Sequence, residues 1–143
     1  MTRLEFRVYS YYDKKYLPPE FKESEIYVNA FGQVGYTKQT NDLPCLPQDE
    51  LQIELFTGFY DKNKKQIYEG DIVSFEADSH DMGILTIVGE VAFKNGRFII
   101  KGYEDLFPHY SFFDFISRYK DIRIIGNIHE NPELLGDEKW NQA

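Results

Sequence analysis

Two carboxylates flank a glycine in the segment YEGDIV, which spans residues 68–73. Glu69 and Asp71 are residue types that could bind a metal ion or act as a general acid and base. No third ligand and no histidine lies near them in the sequence, so a structural role is favoured. Gly70 permits a positive φ, and Asp71 can accept a hydrogen bond from the backbone of a turn. These residues therefore predict a turn from which a strand starts at Ile72.

A second group of potential metal ligands consists of Asp78, His80 and Asp81, which lie in one short segment. Imidazole and carboxylate groups bind several divalent cations. However, the segment has no partner motif at the spacing of a metal site, and His109 and His129 are isolated from it. A solvated loop is favoured, so the sequence predicts no metal site.

Cys45 is the only cysteine and lies between two prolines. It cannot form a disulfide within the chain, which fits a reducing compartment. No Ser/His/Asp or Cys/His arrangement with a known spacing accompanies it, and the sequence contains no Walker loop and no GxGxxG segment. A packed thiol is therefore favoured over a nucleophile. We expect no catalytic residue, no cofactor-binding residue and no cofactor, and we predict that the chain is not an enzyme.

Basic and aromatic side chains come together in two places along the sequence. Such a combination can bind single-stranded nucleic acid, because rings stack on bases while cations contact phosphates. The other interpretation is that lysines at hairpin tips and strand edges prevent aggregation, and this one is favoured. The residues concerned are Lys62, Lys64 and Lys65 at one predicted tip, Lys94, Arg97 and Lys101 near another, and the neighbouring rings of Tyr60, Tyr68 and Phe98.

The composition points to one domain of residues 1–143 with an acidic surface. A chain of 143 residues falls within the usual size of a domain, and 17% aromatic residues favour strands that pack rings together. The formal charge of -8 disfavours general duplex binding, which depends on phosphate neutralisation. The N-terminus has no apolar signal region, and no stretch reaches the roughly 20 apolar residues of a membrane span. We therefore expect no membrane association and a cytoplasmic location.

Strands account for most of the predicted elements. Alternating residues at 3–9 predict a first strand, and Asp13-Lys14-Lys15 predicts a turn followed by a short return strand at Tyr16-Leu17. Asn95-Gly96 is the strongest hairpin signal, since this pair suits a type I′ turn. Residues 20–25, 38–50 and 76–82 are predicted as polar connections, and 61–65 as a lysine-rich turn. The further predicted strands are residues 26–37 (a pair broken at Gly32), 51–58, 66–75, 83–93, 97–103 and 121–128.

One short helix is predicted near residues 111–120, where Phe and Tyr recur at helical spacing after the potential N-cap Ser111. Asn131-Pro132 predicts a short C-terminal helical turn that buries Leu134 and Leu135. The GDIV segment, followed by GEVAF at residues 89–93, is typical of small SH3-like barrels. We therefore predict a mainly β fold, with a small, partly open barrel and additional hairpins.

Three segments together resemble the YopX family of bacteriophage and prophage proteins. They are TGFYDKNKKQIYEGDIV at residues 57–73, IIGNIHENPELL at 124–135 and, more loosely, EFRVYS with DKKYL near the N-terminus. Lys64 departs from the family pattern, in which Asn-Gly is usual. Because lysine tolerates a positive φ poorly, a turn longer or looser than the tight type I′ form is expected there.

The resemblance implies a phage or prophage origin, a mainly β fold with a barrel, and self-association, and it brings no catalytic residue with it. From these observations we expect a non-enzymatic homo-oligomer that binds a host or phage protein in the cytoplasm of a bacterial host. The alternative is a module that binds single-stranded nucleic acid through the lysine-tipped hairpins and their rings.

Overall fold

The structure is a computed structural model, which describes residues 5–18, 24–28, 34–38, 51–79, 81 and 83–136, with the backbone alone at 24–28, 34–38 and 79. The chain forms two compact units, Met1–Leu55 and Phe56–Ala143. Strand β5 (Leu51–Tyr60) begins in the first unit and ends in the second. No described helix is long and apolar enough to cross a membrane.

The first unit consists of antiparallel hairpins. Its strands are β1 (Phe6–Ser10), β2 (Lys15–Tyr16), β3 (Ser24–Val28), β4 (Val34–Lys38) and the beginning of β5. Strand β1 pairs with β2 on one side and with β5 on the other, and β3 pairs with β4. The predicted turn and return strand after β1 are confirmed, as is the strand pair predicted at 26–37. The predicted connection at 20–25 is wrong at its end, since β3 begins at Ser24. Gly32, Cys45 and the surface excursion predicted at 38–50 lie outside the described residues, apart from Lys38.

The second unit is built around a half-barrel sheet. Four antiparallel strands lie in the order β10-β7-β8-β9, and β6 pairs separately with the end of β5. The elements are β6 (Gln66–Tyr68), β7 (Asp71–Ser79), β8 (Gly83–Lys94), β9 (Arg97–Ile100), α1 (Phe112–Arg118), β10 (Arg123–Asn127) and a 3₁₀ helix (Pro132–Leu135). The prediction of a mainly β, partly open barrel with one short helix and a C-terminal helical turn is confirmed.

Aromatic side chains of α1 fill the open side of this sheet. Phe115 is buried, and its ring centroid lies 5.5 Å from that of Phe75, 5.3 Å from Phe107 and 5.2 Å from Tyr110. Phe75 occupies β7, where alternate residues point into the core. Much of the high aromatic content therefore lies in a packed interior, where ring pairs at such distances contribute about 0.5–1.5 kcal/mol each beyond their buried area.

The predicted N-cap of α1 is confirmed. The Asp114 carboxylate accepts hydrogen bonds from the Ser111 N–H at 2.7 Å and from the Ser111 hydroxyl at 2.9 Å. These contacts, with a smaller contribution from the nearby positive charge of Arg97, lower the pKa of Asp114. The helix therefore begins where its own side chains satisfy the exposed backbone donors of its first turn.

Two predictions about β7 are wrong. The acidic segment 76–82 was predicted as a loop, but its residues 76–79 belong to β7. This strand continues to Ser79, which pairs with Gly83 of β8. Ala77 is buried there between exposed Glu76 and Asp78, which is the alternation of a half-buried strand. The predicted strand 66–75 is also interrupted. A turn at Glu69-Gly70 divides it, so that β6 pairs with β5 while β7 pairs with β8 and β10.

The C-terminal 3₁₀ helix buries less than predicted. Neither Leu134 nor Leu135 is buried, and Leu134 is exposed. The Asn131 side chain does not cap this helix but contacts the strand before it. The helix therefore adds little apolar contact to the core.

Candidate functional site

The turn in the YEGD segment is organised by backbone contacts, as predicted. Gly70 has a φ of 84°. Its N–H donates to the Val91 carbonyl at 2.9 Å, and its carbonyl accepts the Ile128 N–H at 2.9 Å. The Asp71 carboxylate is buried and accepts the Tyr68 N–H at 2.8 Å. This carboxylate thus stabilises the turn from which β7 starts.

The segment GNIHEN at residues 126–131 is likewise tied to its own backbone. The Asn127 side-chain oxygen accepts the N–H groups of His129 at 3.0 Å and Glu130 at 2.9 Å. The Asn131 side-chain oxygen accepts the Asn127 N–H at 3.3 Å. A Cβ at Gly126 would lie 2.6 Å from that same Asn131 oxygen, so only glycine allows this approach. The two segments that carry the family resemblance therefore meet where β7 pairs with β10.

Asp61 connects the lysine-rich turn to β10. It is 6% exposed, and its carboxylate accepts the N–H groups of Asn63 at 2.8 Å, Lys65 at 2.9 Å and Ile124 at 3.1 Å. The longer turn expected at this point is confirmed, because Asp61 and Lys65 enclose a loop of three residues. Lys64 nevertheless adopts a positive φ of 65°.

The other candidate ligands do not converge within the described part of the chain. No three His, Cys, Asp or Glu side chains come together there as metal ligands would. Glu69 is half-buried, Asp78 and Asp81 are exposed, and His80 lies outside the described residues. Every buried side-chain nitrogen or oxygen of the described residues has a hydrogen-bond partner.

A shallow cleft of about 340 Å³ lies beside α1. The Arg118 guanidinium donates a hydrogen bond to the Tyr110 hydroxyl at 3.1 Å across it. Asp114, which also lines the cleft, already accepts the capping contacts of Ser111. The remaining lining residues are His109 and Ser117.

Three rings form a cluster on the hairpin of β5 and β6. Phe56 and Tyr68 face each other across the two strands with centroids 5.5 Å apart, and Tyr60 meets Phe56 edge-on at 5.6 Å. Tyr60 is 54% exposed. Lys62, Lys64 and Lys65 are exposed at the adjacent tip, as predicted. Residues 56–68 are called the second tyrosine–lysine hairpin, because a similar hairpin at residues 9–16 precedes them in the chain.

The hairpin of β8 and β9 carries the other predicted basic group. Asn95 and Gly96 have φ values of 54° and 80°, which confirms the type I′ turn. Lys94 and Arg97 face each other at this turn, and Phe93 meets Phe98 edge-on at 5.0 Å. Lys101 lies beyond the far end of β9, about 13 Å along the strand from Arg97 at ~3.3 Å per residue. The structure therefore brings together two of these three cations.

A further ring cluster, which the sequence reasoning missed, lies on the hairpin of β1 and β2. In the alternation at 3–9, Tyr9 falls on the same side as Glu5 and Arg7, but it is buried between Tyr16, directly opposite at 5.1 Å, and Tyr11 at 5.2 Å. Tyr11 and Tyr12 are 45% and 79% exposed. We name residues 9–16 the first tyrosine–lysine hairpin. The signal that could have found it is the triplet Tyr-Asp-Lys, which occurs at residues 12–14 and again at 60–62.

A buried charge supports this first hairpin. Glu54 is 1% exposed and accepts hydrogen bonds from the Arg7 guanidinium at 2.8 Å and from the Tyr16 hydroxyl at 2.8 Å. The Arg7 guanidinium also lies 4.3 Å from the centre of the Tyr16 ring. Burial, helped by the neighbouring Glu54 charge and by Tyr9, raises the pKa of Tyr11. The Tyr11 hydroxyl donates a hydrogen bond to the Gln52 side chain.

These features define a small, mainly β protein in which the polar residues of the YEGD and GNIHEN segments organise turns. The YopX protein family matches residues 5–136, and the chain belongs to that family. Protein EF1440 from Enterococcus faecalis, known from a crystal structure, is similar to this chain. The two sequences are 26% identical, and the structures match with a TM-score of 0.57 over 94% of this chain and 99% of that one. The crystal structure of the protein yopX from Bacillus subtilis is 18% identical, with a TM-score of 0.60 over 96% and 98%. No curated protein matches the chain.

Proposed function

We propose that this protein is a non-enzymatic binding protein of phage or prophage origin. It works in the cytoplasm of the bacterial host as a homo-oligomer, and its partner is a host or phage protein. The observation that carries the proposal is an aromatic patch on the second unit, which consists of Phe59 and Phe113.

The patch lies on the outer side of α1. Phe113 is 59% exposed, and its ring lies 5.9 Å from that of Phe59. Phe59 in turn lies 6.0 Å from Phe112, which is fully buried. The rings therefore continue from the core to the surface, and a partner that covers Phe113 would extend the core. Aromatic side chains are enriched at protein interfaces, and full burial of a phenylalanine contributes about 1.5–3 kcal/mol.

The family segments support a non-enzymatic role. Their buried carboxylates, Asp61 and Asp71, accept hydrogen bonds from backbone N–H groups and thereby shape the turns in which they lie. A catalytic carboxylate would instead need to face a substrate within hydrogen-bond reach.

Light scattering coupled to size-exclusion chromatography tests the assembly. At tens of micromolar we expect a mass above that of one chain, and Phe113→Ser should lower it. Ile84→Ser is the matched control, because Ile84 is 68% exposed on β8 and its replacement removes a similar apolar surface elsewhere. A strict monomer would overturn the homo-oligomer. An equal effect of both substitutions would overturn the role of Phe113.

Affinity capture from infected or lysogenic host lysate tests the partner. Tagged protein should retain one specific host or phage protein after nuclease treatment, and the Phe113→Ser variant should lose it while Ile84→Ser keeps it. Loss of all captured proteins on nuclease treatment would contradict a protein partner.

A second candidate function is the binding of single-stranded nucleic acid. It is favoured by the second tyrosine–lysine hairpin, where the exposed Tyr60 ring lies beside three exposed lysines. Such a site should bind an unstructured oligonucleotide in a salt-sensitive way, and Lys62→Glu together with Lys64→Glu should weaken the binding. If no oligonucleotide is bound at low salt, this candidate is removed.

A further inference from the structure

The two tyrosine–lysine hairpins have the same construction, although they belong to different units. In each, a central ring on the longer strand faces a ring directly opposite on the shorter strand. The centroid distances are 5.1 Å for Tyr9 and Tyr16 and 5.5 Å for Phe56 and Tyr68. A second tyrosine, which lies nearer the tip, in the turn after β1 or at the end of β5, then meets the central ring edge-on. It is Tyr11 in the first hairpin and Tyr60 in the second.

The tips of the two hairpins also share an unusual backbone feature. Lys14 has a φ of 55° and Lys64 a φ of 65°. This left-handed region costs roughly 1–2 kcal/mol for a residue with a Cβ, whereas glycine enters it at little cost. An exposed lysine follows each of them, at Lys15 and Lys65. A lysine at such a position places a positive charge at the tip at the expense of stability, and strain of this kind is a pointer to function.

We propose that each unit carries one site for an unpaired nucleic-acid strand, formed by its tyrosine–lysine hairpin. This inference rests on the second candidate function and extends it to a site in the first unit. In the first hairpin the exposed rings of Tyr11 and Tyr12 stack on bases, while Lys14 and Lys15 contact phosphates. In the second hairpin Tyr60 stacks, while Lys64 and Lys65 contact phosphates.

The chemistry of the tips selects this ligand. Exposed rings stack on bases that are unpaired and accessible, which a duplex does not offer. The charge of -8 disfavours a polyanion over the chain as a whole, so binding needs local positive charge, which the lysines of the tips supply. Two of the stacking rings are positioned beforehand, since the Tyr11 hydroxyl donates to Gln52 and the Tyr60 ring packs edge-on against Phe56. These rings therefore lose little conformational freedom on binding.

Fluorescence anisotropy measures the binding of a labelled oligothymidine of about 8 nucleotides. This length lies within the range that one aromatic-lined module covers. At low salt we expect two bound strands per chain. Tyr12→Ala with Lys14→Gln should remove one of them, and Tyr60→Ala with Lys64→Gln the other. All four changes together should weaken the total affinity roughly tenfold or more, because each stacked base contributes a factor of about ten. Leu106→Ala with Lys120→Gln is the matched control, since it removes one exposed apolar side chain and one exposed lysine elsewhere.

Glycine substitutions separate binding from structure. Lys14→Gly and Lys64→Gly should each raise the thermal midpoint, because they relieve the left-handed lysine, and each should weaken oligonucleotide binding. A higher midpoint with unchanged binding would show that the two lysines serve the turn alone and would overturn the proposal.

The outcomes distinguish this inference from the function on which it rests. If the unaltered protein binds no oligonucleotide, both fall. If one strand binds per chain and only the second hairpin variant abolishes it, the second candidate function stands and the site in the first unit is overturned. If polyglutamate of similar length competes as well as the oligonucleotide, the tips recognise charge without bases, and the proposal is overturned as well.

Discussion

The two tyrosine–lysine hairpins carry the same ring cluster, but their tips are held in different ways. In the first hairpin the contacts are local. The Ser10 hydroxyl accepts the Asp13 N–H and donates to the Asp13 carboxylate, both at 3.1 Å. In the second hairpin the carboxylate of Asp61 binds its own turn and also the Ile124 N–H, 63 residues away. The first tip is thus held by neighbours in sequence, and the second also by a strand that arrives much later in the chain.

This difference predicts unequal sensitivity to substitution. A local turn can reform after its contact is removed, because the residues involved are adjacent in the chain. A turn that shares a buried carboxylate with a distant strand leaves backbone N–H groups without an acceptor when that carboxylate is lost, and such groups cost about 1–3 kcal/mol each.

Asp61→Ala should have the largest effect. It removes an acceptor shared by three backbone donors, so we expect the free energy of unfolding of the second unit to fall by about 3 kcal/mol. Urea unfolding measures the loss, and faster amide hydrogen exchange at Ile124 locates it. Normal protection of the Ile124 amide in this variant would show that the contact to β10 does not hold the turn.

Lys14→Gly and Lys64→Gly should have the next largest effect, and in the opposite direction. Each should stabilise its unit by about 1 kcal/mol, since glycine adopts the left-handed region without the steric cost of a Cβ. Similar gains in the two units, measured by urea unfolding, are expected if the two tips carry equal strain. A gain at only one position would break the equivalence of the two hairpins.

Asp13→Ala should cost less than Asp61→Ala, at about 0.5–1 kcal/mol, because its contact to Ser10 is partly exposed and local. Asp13→Asn is the control, since the amide oxygen can still accept the Ser10 hydroxyl. A loss in Asp13→Ala as large as that in Asp61→Ala would remove the distinction between local and distant support.

The smallest effect concerns Asp114, a local carboxylate contact in the second unit. Its pKa is lowered in the folded protein, mainly by the Ser111 N–H and then by the Ser111 hydroxyl. Its contribution to stability is therefore present above the unfolded pKa of about 3.9 and is lost as the pH falls through the folded value. In the Asp114→Asn variant the free energy of unfolding should fall less steeply with decreasing pH below about pH 4 than in the unaltered protein. An unchanged slope would contradict the capping role.

Several local structures could be predicted because short-range chemistry decides them. Asn95-Gly96 suits a type I′ turn wherever two strands flank it, and Ser111 with Asp114 satisfies the first donors of a helix. The roles of Gly70 and Asp71 were predictable for the same reason. The strand at Ala77 was missed because Glu76 and Asp78 make the segment polar, although their alternation with a buried alanine is typical of a strand.

Other features depend on partners that the order of residues does not reveal. Tyr9 is buried only because Tyr11 and Tyr16 cover it, and the strand predicted at 66–75 divides because its two parts pair with different strands. The turn of the second hairpin is held in part by the contact of Asp61 with β10.

The sequence by itself therefore determined the family, the mainly β architecture and the turns whose residues satisfy their own backbone. Only the tertiary structure decided which rings cluster, that two hairpins repeat one construction, and which carboxylate holds a distant strand. The physical reason is that turn geometry follows from the φ preferences and hydrogen bonds of adjacent residues. Ring packing and buried carboxylates, in contrast, depend on side chains that folding brings together from far apart in the chain.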